Sequence, residues 1–217
     1  MVASPLIWQP SLLCGGEPRV DEGFGDLTRT ALDDASWVDH CPGWVSGSDQ
    51  LFSDLVADID WDQRSRWLYD RRVTEPRLTA SWRAGGGTGL PPVLEQARRT
   101  LSAHYGADFD SCGMNLYRDG ADSVAWHRDR IPPEVADPVV ALVSLGEPRT
   151  YLLRRLGGGA SRSFRLGRGD LLVTGGRTQR SWEHAVPKVA AAGPRLSLAF
   201  RHRARLPAGT PSLPGPP

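Results

Sequence analysis

MNLYRDGADSVAWHRDR, Met114–Arg130, marks a change of texture in this chain. Two short runs of strand-forming residues, MNLY and SVAWH, flank the turn-like Arg118-Asp119-Gly120. The pattern repeats downstream. VVALVSL, TYLLRRL, SFRL, DLLVTG, SWEHAV and RLSLAFRH follow one another, separated by Ile-Pro-Pro, Gly-Gly-Gly and Gly-Arg-Gly-Asp. Many short strands at close spacing, punctuated by turn residues, predict an antiparallel barrel or sandwich. Working back from Met114 the signals are helical. Gly47-Ser48-Asp49 offers an N-cap before Leu51, Phe52, Leu55, Val56 and Ile59. Pro91-Pro92 opens a second helix, with Val93, Leu94, Ala97 and Leu101 on one face and Gly106 near its end. The expected class is therefore α+β: N-terminal helices flanking a β core over about residues 111–203.

The 217 residues fit one domain, residues 1–206, followed by a Pro/Gly-rich tail, PAGTPSLPGPP, expected to be disordered. No apolar run approaches the roughly 20 residues of a membrane span, and MVASPLIWQPSLL lacks the basic start of a secretory signal. Cys14, Cys41 and Cys112 are odd in number and far apart, which suits free thiols in a reducing compartment; the cytoplasm is expected. A net charge of +1 hides an asymmetry: from Glu147 onward there are 13 Lys and Arg against 3 Asp and Glu. A local field of that sign suits a polyanion or an acidic small molecule, and equally a solvated arginine-rich surface. The runs Gly85-Gly86-Gly87 and Gly157-Gly158-Gly159 lack the Lys-Ser/Thr and helix of a phosphate loop and are expected to be plain loops.

On a strand, residues two apart point the same way, so His127 and Asp129 project together while Trp126 and Arg128 face away. His184, in SWEHAVP, falls on or beside another strand of the same region. Two histidines and one carboxylate on one face of a metal leave the opposite positions open, which favours non-haem Fe(II) oxygenase chemistry. A hydrogen-bonded surface pair and a zinc hydrolase site share this spacing and stay open at this point. In PRLSLAFRHR the alternation is strict: Leu196, Leu198 and Phe200 on one side, Arg195, Ser197, Ala199 and Arg201 on the other. A buried, unpaired guanidinium costs several kcal/mol, so a buried face of this kind demands anions; an edge strand would leave the arginines in water instead. The two arginines lie roughly 20 Å apart along an extended strand, at ~3.3 Å per residue. They suit opposite ends of a short dicarboxylate, or one grips the ligand while the other pairs with an acid of the site. Asn115 and Tyr117 share a face and offer an amide and a phenol to the same anion, or to the core.

Together NLYRDGADSVAWHRD, VSLGEPRTYLLR, GDLLVTGGRTQRSWEHAVPK and PRLSLAFR resemble the AlkB family of 2-oxoglutarate- and Fe(II)-dependent dioxygenases, from about Ser111 to Arg201, with weaker similarity back to about Leu51. The resemblance implies a double-stranded β-helix, or jelly-roll, core. It implies oxidative removal of N-alkyl groups from damaged bases, with 2-oxoglutarate decarboxylated to succinate and formaldehyde released. Under it His127, Asp129 and His184 hold iron, and Asn115, Tyr117, Arg195, Ser197 and Arg201 surround 2-oxoglutarate, Arg195 being the partner of its distal carboxylate. The chain departs from the family's pattern in three places: Ile131 stands where many members carry an acid, and Ser197 and Ala199 replace the usual Asn and Thr. These departures bear on substrate choice.

The implied partners are alkylated DNA, or RNA, together with oxygen and 2-oxoglutarate, met by a monomer without membrane attachment. A base in a duplex must be flipped or already single-stranded, then stacked on an aromatic ring. DQRSRWLYDRRVTEPRLTASW, residues 62–82, interleaves arginines with aromatics, and Trp67, Tyr69, Arg77 and Trp82 are the expected substrate contacts, Trp82 foremost as the stacking ring. Core packing competes for Trp67 and Tyr69. A 2-oxoglutarate oxygenase acting on a protein or small molecule, and a non-catalytic nucleic-acid-binding module, are the alternatives; intact metal and arginine positions weigh against the second.

Overall fold

The apolar stripes of the two N-terminal helices have to be covered, and a large sheet covers them. The computed structural model describes residues 6, 8–11, 14–68 and 70–205. In chain order the elements are β1 (Arg19–Val20), β2 (Thr28–Asp33), β3 (Ser36–Cys41), β4 (Val45–Ser46), α1 (Ser48–Asp58), β5 (Ser65–Leu68), β6 (Arg71–Thr74), β7 (Leu78–Arg83) and α2 (Pro92–Tyr105). They continue with β8 (Ala107–Tyr117), β9 (Val124–His127), β10 (Val140–Gly146), β11 (Arg149–Arg155), β12 (Ser161–Leu166), β13 (Asp170–Gly176), α3 (Thr178–Ser181), β14 (Trp182–Val186) and β15 (Arg195–Arg205). A seven-stranded sheet runs β2-β3-β13-β10-β15-β8-β7 and a four-stranded one β12-β11-β14-β9; every pairing is antiparallel. Two facing antiparallel sheets of this order form the expected jelly-roll core. The strands β5 and β6 pair separately as a hairpin.

Side-chain alternation assigns each face its role. Leu196, Leu198 and Phe200 of β15 join Cys112, Met114 and Leu116 of β8 and Val143 and Leu145 of β10 beneath Leu51, Phe52 and Leu55 of α1 and Leu94 and Leu101 of α2. Each such side chain contributes ~1.5–3 kcal/mol when fully buried, so this layer anchors the large sheet. A second cluster between the sheets contains Tyr117, Tyr151, Leu153, Leu166, Leu172 and Val186. The helix ends follow the sequence in part. Pro92 begins α2, and Gly106 ends it with φ +61°, the left-handed cap that glycine adopts without strain. At the start of α1, Gly47 of the Gly47-Ser48-Asp49 stretch is the N-cap, and no side chain caps the helix. Asp49 is instead buried, accepting the Ser11 N–H and facing the Arg168 guanidinium at 3.5 Å.

The chain before the second helix also supplies strands that the hydrophobic pattern does not show. β2, β3 and β7 all belong to the large sheet. In β3, SWVDHC, the alternation is broken by Asp39, fully buried and held by Arg29 at 2.6 and 2.7 Å and by the Tyr105 hydroxyl at 3.0 Å. A buried carboxylate reads as surface in any hydropathy pattern, so this strand carries no clean alternation. The tail 207–217 lies outside the described residues.

Candidate active site

Register places the functional side chains. His127 of β9 lies directly opposite His184 of β14, and the ring centroids are 4.2 Å apart. Asp129 follows β9 by two residues. The available ligand atoms of His127, Asp129 and His184 all lie within 4.8 Å of one another, a spacing that one ion spans. The donor set fits a divalent first-row metal with open positions, as two imidazoles and one carboxylate should. Each ligand is oriented by a neighbour. The Nδ1 of His127 is 2.9 Å from the Ala125 carbonyl; as a donor there it leaves Nε2 with its lone pair for a metal. Burial pushes the His184 imidazole down to about 4, so it is in the neutral, ligating form near neutral pH. Burial raises Asp129, but Arg201 and the two histidines outweigh it, and the carboxyl is held below its usual range. Arg201 donates to Asp129 Oδ1 at 2.6 Å, and the Asp129 N–H donates to Gln179 Oε1 at 3.3 Å.

Arg195 sits at the other end of the same face. It is fully buried; its Nε donates to Ser144 Oγ at 2.7 Å, and among the described residues neither terminal nitrogen has a hydrogen-bond partner. Burial lowers its pKa, the direction expected of a cation short of anions. Tyr117, opposite Arg195 in the β8–β15 register, lies beneath it with 5.4 Å from ring centroid to guanidinium. Ser197 is opposite Asn115 and Ala199 opposite Gly113. Asn115, Tyr117, Ser197, Ala199, Arg201, His127, Asp129 and His184 line one cleft between the sheets, with Leu142, Leu172 and Val186 as its apolar wall. Arg195 is thus fully buried and Arg201 is 29% exposed and paired with Asp129, so neither is at a watered edge. A fully buried guanidinium with two idle donor groups is the mark of a carboxylate site.

The substrate residues divide. Arg77 lines the cleft, bonded to Asn115 Oδ1 at 2.8 Å and paired with Glu75 at 3.0 Å. Trp67 is on the β5–β6 hairpin with 74% of its surface exposed, which excludes core packing for it. Tyr69 lies outside the described residues. Trp82 is a correction: it pairs with Cys112 and packs, with Leu78 and Ala80, on the helix-covered core. Directly paired residues of neighbouring strands share a face, so Trp82 points away from the cleft that Asn115 and Tyr117 line. Its place is packing, and it is not the stacking ring.

Three residues escaped the sequence reading. Tyr151 of β11 stacks on His184, with centroids 5.2 Å apart and planes 20° from parallel. Arg149 is buried and donates to the carbonyls of Asp119, Asp122 and Pro187 at 2.7–3.0 Å, tying the loop after β8 to the end of β14. Gln179, which supports Asp129, is itself held by Thr174 at 2.9 Å. Alternation in TYLLRRL put Tyr151 and Leu153 on one inward face, so Tyr151 had a usable signal; the others depend on long-range contacts alone.

The comparisons agree with this geometry. The profile of the 2OG-Fe(II) oxygenase superfamily matches residues 50–201. The human protein named alpha-ketoglutarate-dependent dioxygenase alkB homolog 3 is 33% identical over 221 residues, covering 90% of this chain and 76% of that protein. Human DNA oxidative demethylase ALKBH2 is 33% identical over 179 residues, covering 71% and 68%. The structure of OsALKBH1 superposes with a TM-score of 0.55 at 15% identity, covering 81% of this chain and all of that one, and so shares the fold. On this sequence match and this site, the chain belongs to the 2OG-Fe(II) oxygenase superfamily and, within it, to the AlkB homologue family.

Proposed function

We propose that the protein is an oxidative demethylase that removes N-alkyl groups from damaged bases of DNA, or of RNA. One observation carries the reading: the His127, Asp129 and His184 cluster, at β9 and β14 of the small sheet, and the fully buried, half-satisfied Arg195, on β15 of the large sheet and over Tyr117 of the cleft lining, lie on opposite sides of one cleft between the sheets. The metal triad alone suits several hydrolases. With an anion-deficient guanidinium across the same cleft, it suits a metal and a dicarboxylate bound together. The relatives named as DNA oxidative demethylases support the choice of substrate.

Fe(II), 2-oxoglutarate and oxygen together supply the oxidation of an N-methyl C–H to an N-hydroxymethyl, which falls apart to the free base and formaldehyde, while the co-substrate leaves as succinate and carbon dioxide. The chain's own contribution is position and charge. His127 presents Nε2 because Ala125 takes its Nδ1 proton. Asp129 keeps its charge because Arg201 lies against it. Arg195 receives the distal carboxylate, with Tyr117 beneath and Ser144 fixing the angle of its fork. Leu142, Leu172 and Val186 keep water away from the wall behind the ligand.

The mouth of the cleft carries exposed Arg128 and Arg130 on either side of Asp129, and Trp67 stands on the hairpin beyond the Arg71–Thr74 strand. Exposed cations for phosphates and an exposed ring for a base are the equipment for a single strand or a flipped base. The test is incubation of the protein with Fe(II), 2-oxoglutarate, air and an oligonucleotide containing 1-methyladenine or 3-methylcytosine. Formaldehyde should appear in step with succinate. Succinate without formaldehyde would assign the oxygenase to a protein or small-molecule substrate.

A further inference from the structure

Beside the metal cleft a second pocket opens, bounded by Val73–Arg77 on one side and by residues of Ser123–Arg130 on the other. It shares Arg77, Val124 and His127 with the cleft, so a group held here lies next to the metal cluster. Its charge is unusual for a cationic guest. Arg77, Arg128 and Arg130 all line it, and Glu75 supplies the one carboxylate among its described lining residues. In the cleft itself the one carboxylate is Asp129, already engaged by Arg201 and aligned with the two histidines. Ile131, the residue two beyond Asp129, is neutral.

Glu75 is built to hold a fixed direction. Its N–H donates to the Arg64 carbonyl at 2.8 Å, and its own carbonyl accepts from the Arg77 N–H at 2.9 Å and from Gln63 Nε2 at 3.3 Å. The carboxylate is 20% exposed; Oε2 meets Arg77 at 3.0 Å, and no described residue bonds Oε1. Arg77 is in turn tied to Asn115 and to the Ser123 carbonyl, so the carboxylate is anchored through Arg77 to the floor of the cleft. A carboxylate with one oxygen fixed and one idle, in a largely shielded mouth, is an acceptor awaiting a donor or a cation.

Alkylated bases fall into two electrostatic classes. Methylation at a ring nitrogen that bears no hydrogen, as in 1-methyladenine or 3-methylcytosine, leaves the base protonated and cationic. Methylation at a nitrogen that gives up a hydrogen, as in 1-methylguanine or 3-methylthymine, leaves it neutral. Three arginines at the mouth favour the phosphate backbone and oppose a cationic base; one carboxylate beside them reverses that opposition locally. Resting on the demethylase reading, we infer that Glu75 is the residue that selects cationic over neutral lesions, its free oxygen pairing with the protonated edge of the base.

The experiment compares four oligonucleotides of one sequence, carrying 1-methyladenine, 3-methylcytosine, 1-methylguanine or 3-methylthymine, with the unaltered protein and with Glu75→Gln and Glu75→Asp. The readout is kcat/KM for demethylation, with the KM for 2-oxoglutarate measured alongside. A lost charge-assisted contact of this kind is worth about tenfold. Glu75→Gln should lower the ratio of cationic to neutral turnover about tenfold, and Glu75→Asp should restore part of it. An unchanged ratio, whether both classes fall together or neither falls, would overturn the inference and leave Glu75 a brace for Arg77. Inactivity of the unaltered protein on all four would overturn the demethylase reading, and the inference with it.

Discussion

Gly113 shows how little room the site leaves. A Cβ on it would lie 2.8 Å from Arg201 Nη1, and Arg201 Nη2 is the group that holds Asp129. Contacts that short force a shift, and the guanidinium is the softer partner. Gly113→Ala should therefore raise the KM for 2-oxoglutarate several-fold while circular dichroism and the thermal midpoint change little; steady-state kinetics and a melt check both. Trp82 makes the opposite case. Because it packs on the helix side of the large sheet, Trp82→Ala should cost about 2 kcal/mol of stability, below the range for a fully buried Trp because the ring is only half-buried. Urea denaturation measures that loss, and the KM for a methylated oligonucleotide in the folded variant should stay near that of the parent.

At the scale of elements, α2 carries a charge cluster with a defined pH signature. Glu95 in its first turn bonds Arg98 at 2.8 and 2.9 Å and Arg99 at 2.8 Å. The Arg98 bonds, foremost, hold the Glu95 carboxyl down to about 2. A carboxyl depressed in the folded state stabilises fully above its unfolded value near 4.5, and loses that contribution as pH falls toward 2. The Glu95 side chain is 28% exposed and Arg99 75%, so solvent screening limits the effect to about 0.5–1 kcal/mol. Glu95→Gln should lower the urea midpoint at neutral pH, and the gap between variant and parent should close progressively below about pH 4.5. The elements also show where sequence was enough. All eight strands from MNLY to RLSLAFRH were legible because their alternation and turn residues are local. β3 was not, because its buried Asp39 is neutralised by Arg29 of β2, a partner that only the fold brings to it. His127 and Asp129 were legible by their two-residue spacing and Arg195 and Arg201 by the alternation of the last strand; the contacts of Gln179 to Asp129 and of Arg149 were not, since those partners lie 27–50 residues away.

Across the whole molecule, the arginines around the site divide by position. Arg195 and Arg201 of the positive C-terminal part turn inward, while Arg128 and Arg130, from the strand region before it, are exposed beside Asp129. Each phosphate contact contributes about 0.7–0.9 to the slope of log affinity against log salt. Replacing Arg128 and Arg130 by Gln should lower that slope by about 1–2 for a methylated oligonucleotide, measured by fluorescence anisotropy between low and moderate salt, without altering 2-oxoglutarate binding. The two sheets matter because they bring distant segments to opposite sides of one cleft: β9, the loop after it and β14 carry the triad, and β8 and β15 carry the residues facing it. The most direct measurement is calorimetric titration of 2-oxoglutarate into the Mn(II)-loaded protein without oxygen. One site per chain is expected, abolished by Asp129→Ala and weakened about a hundredfold or more by Arg195→Gln, from the ~2–5 kcal/mol that a buried charge pair carries. Unchanged affinity in Arg195→Gln, or binding that persists in Asp129→Ala, would contradict the account.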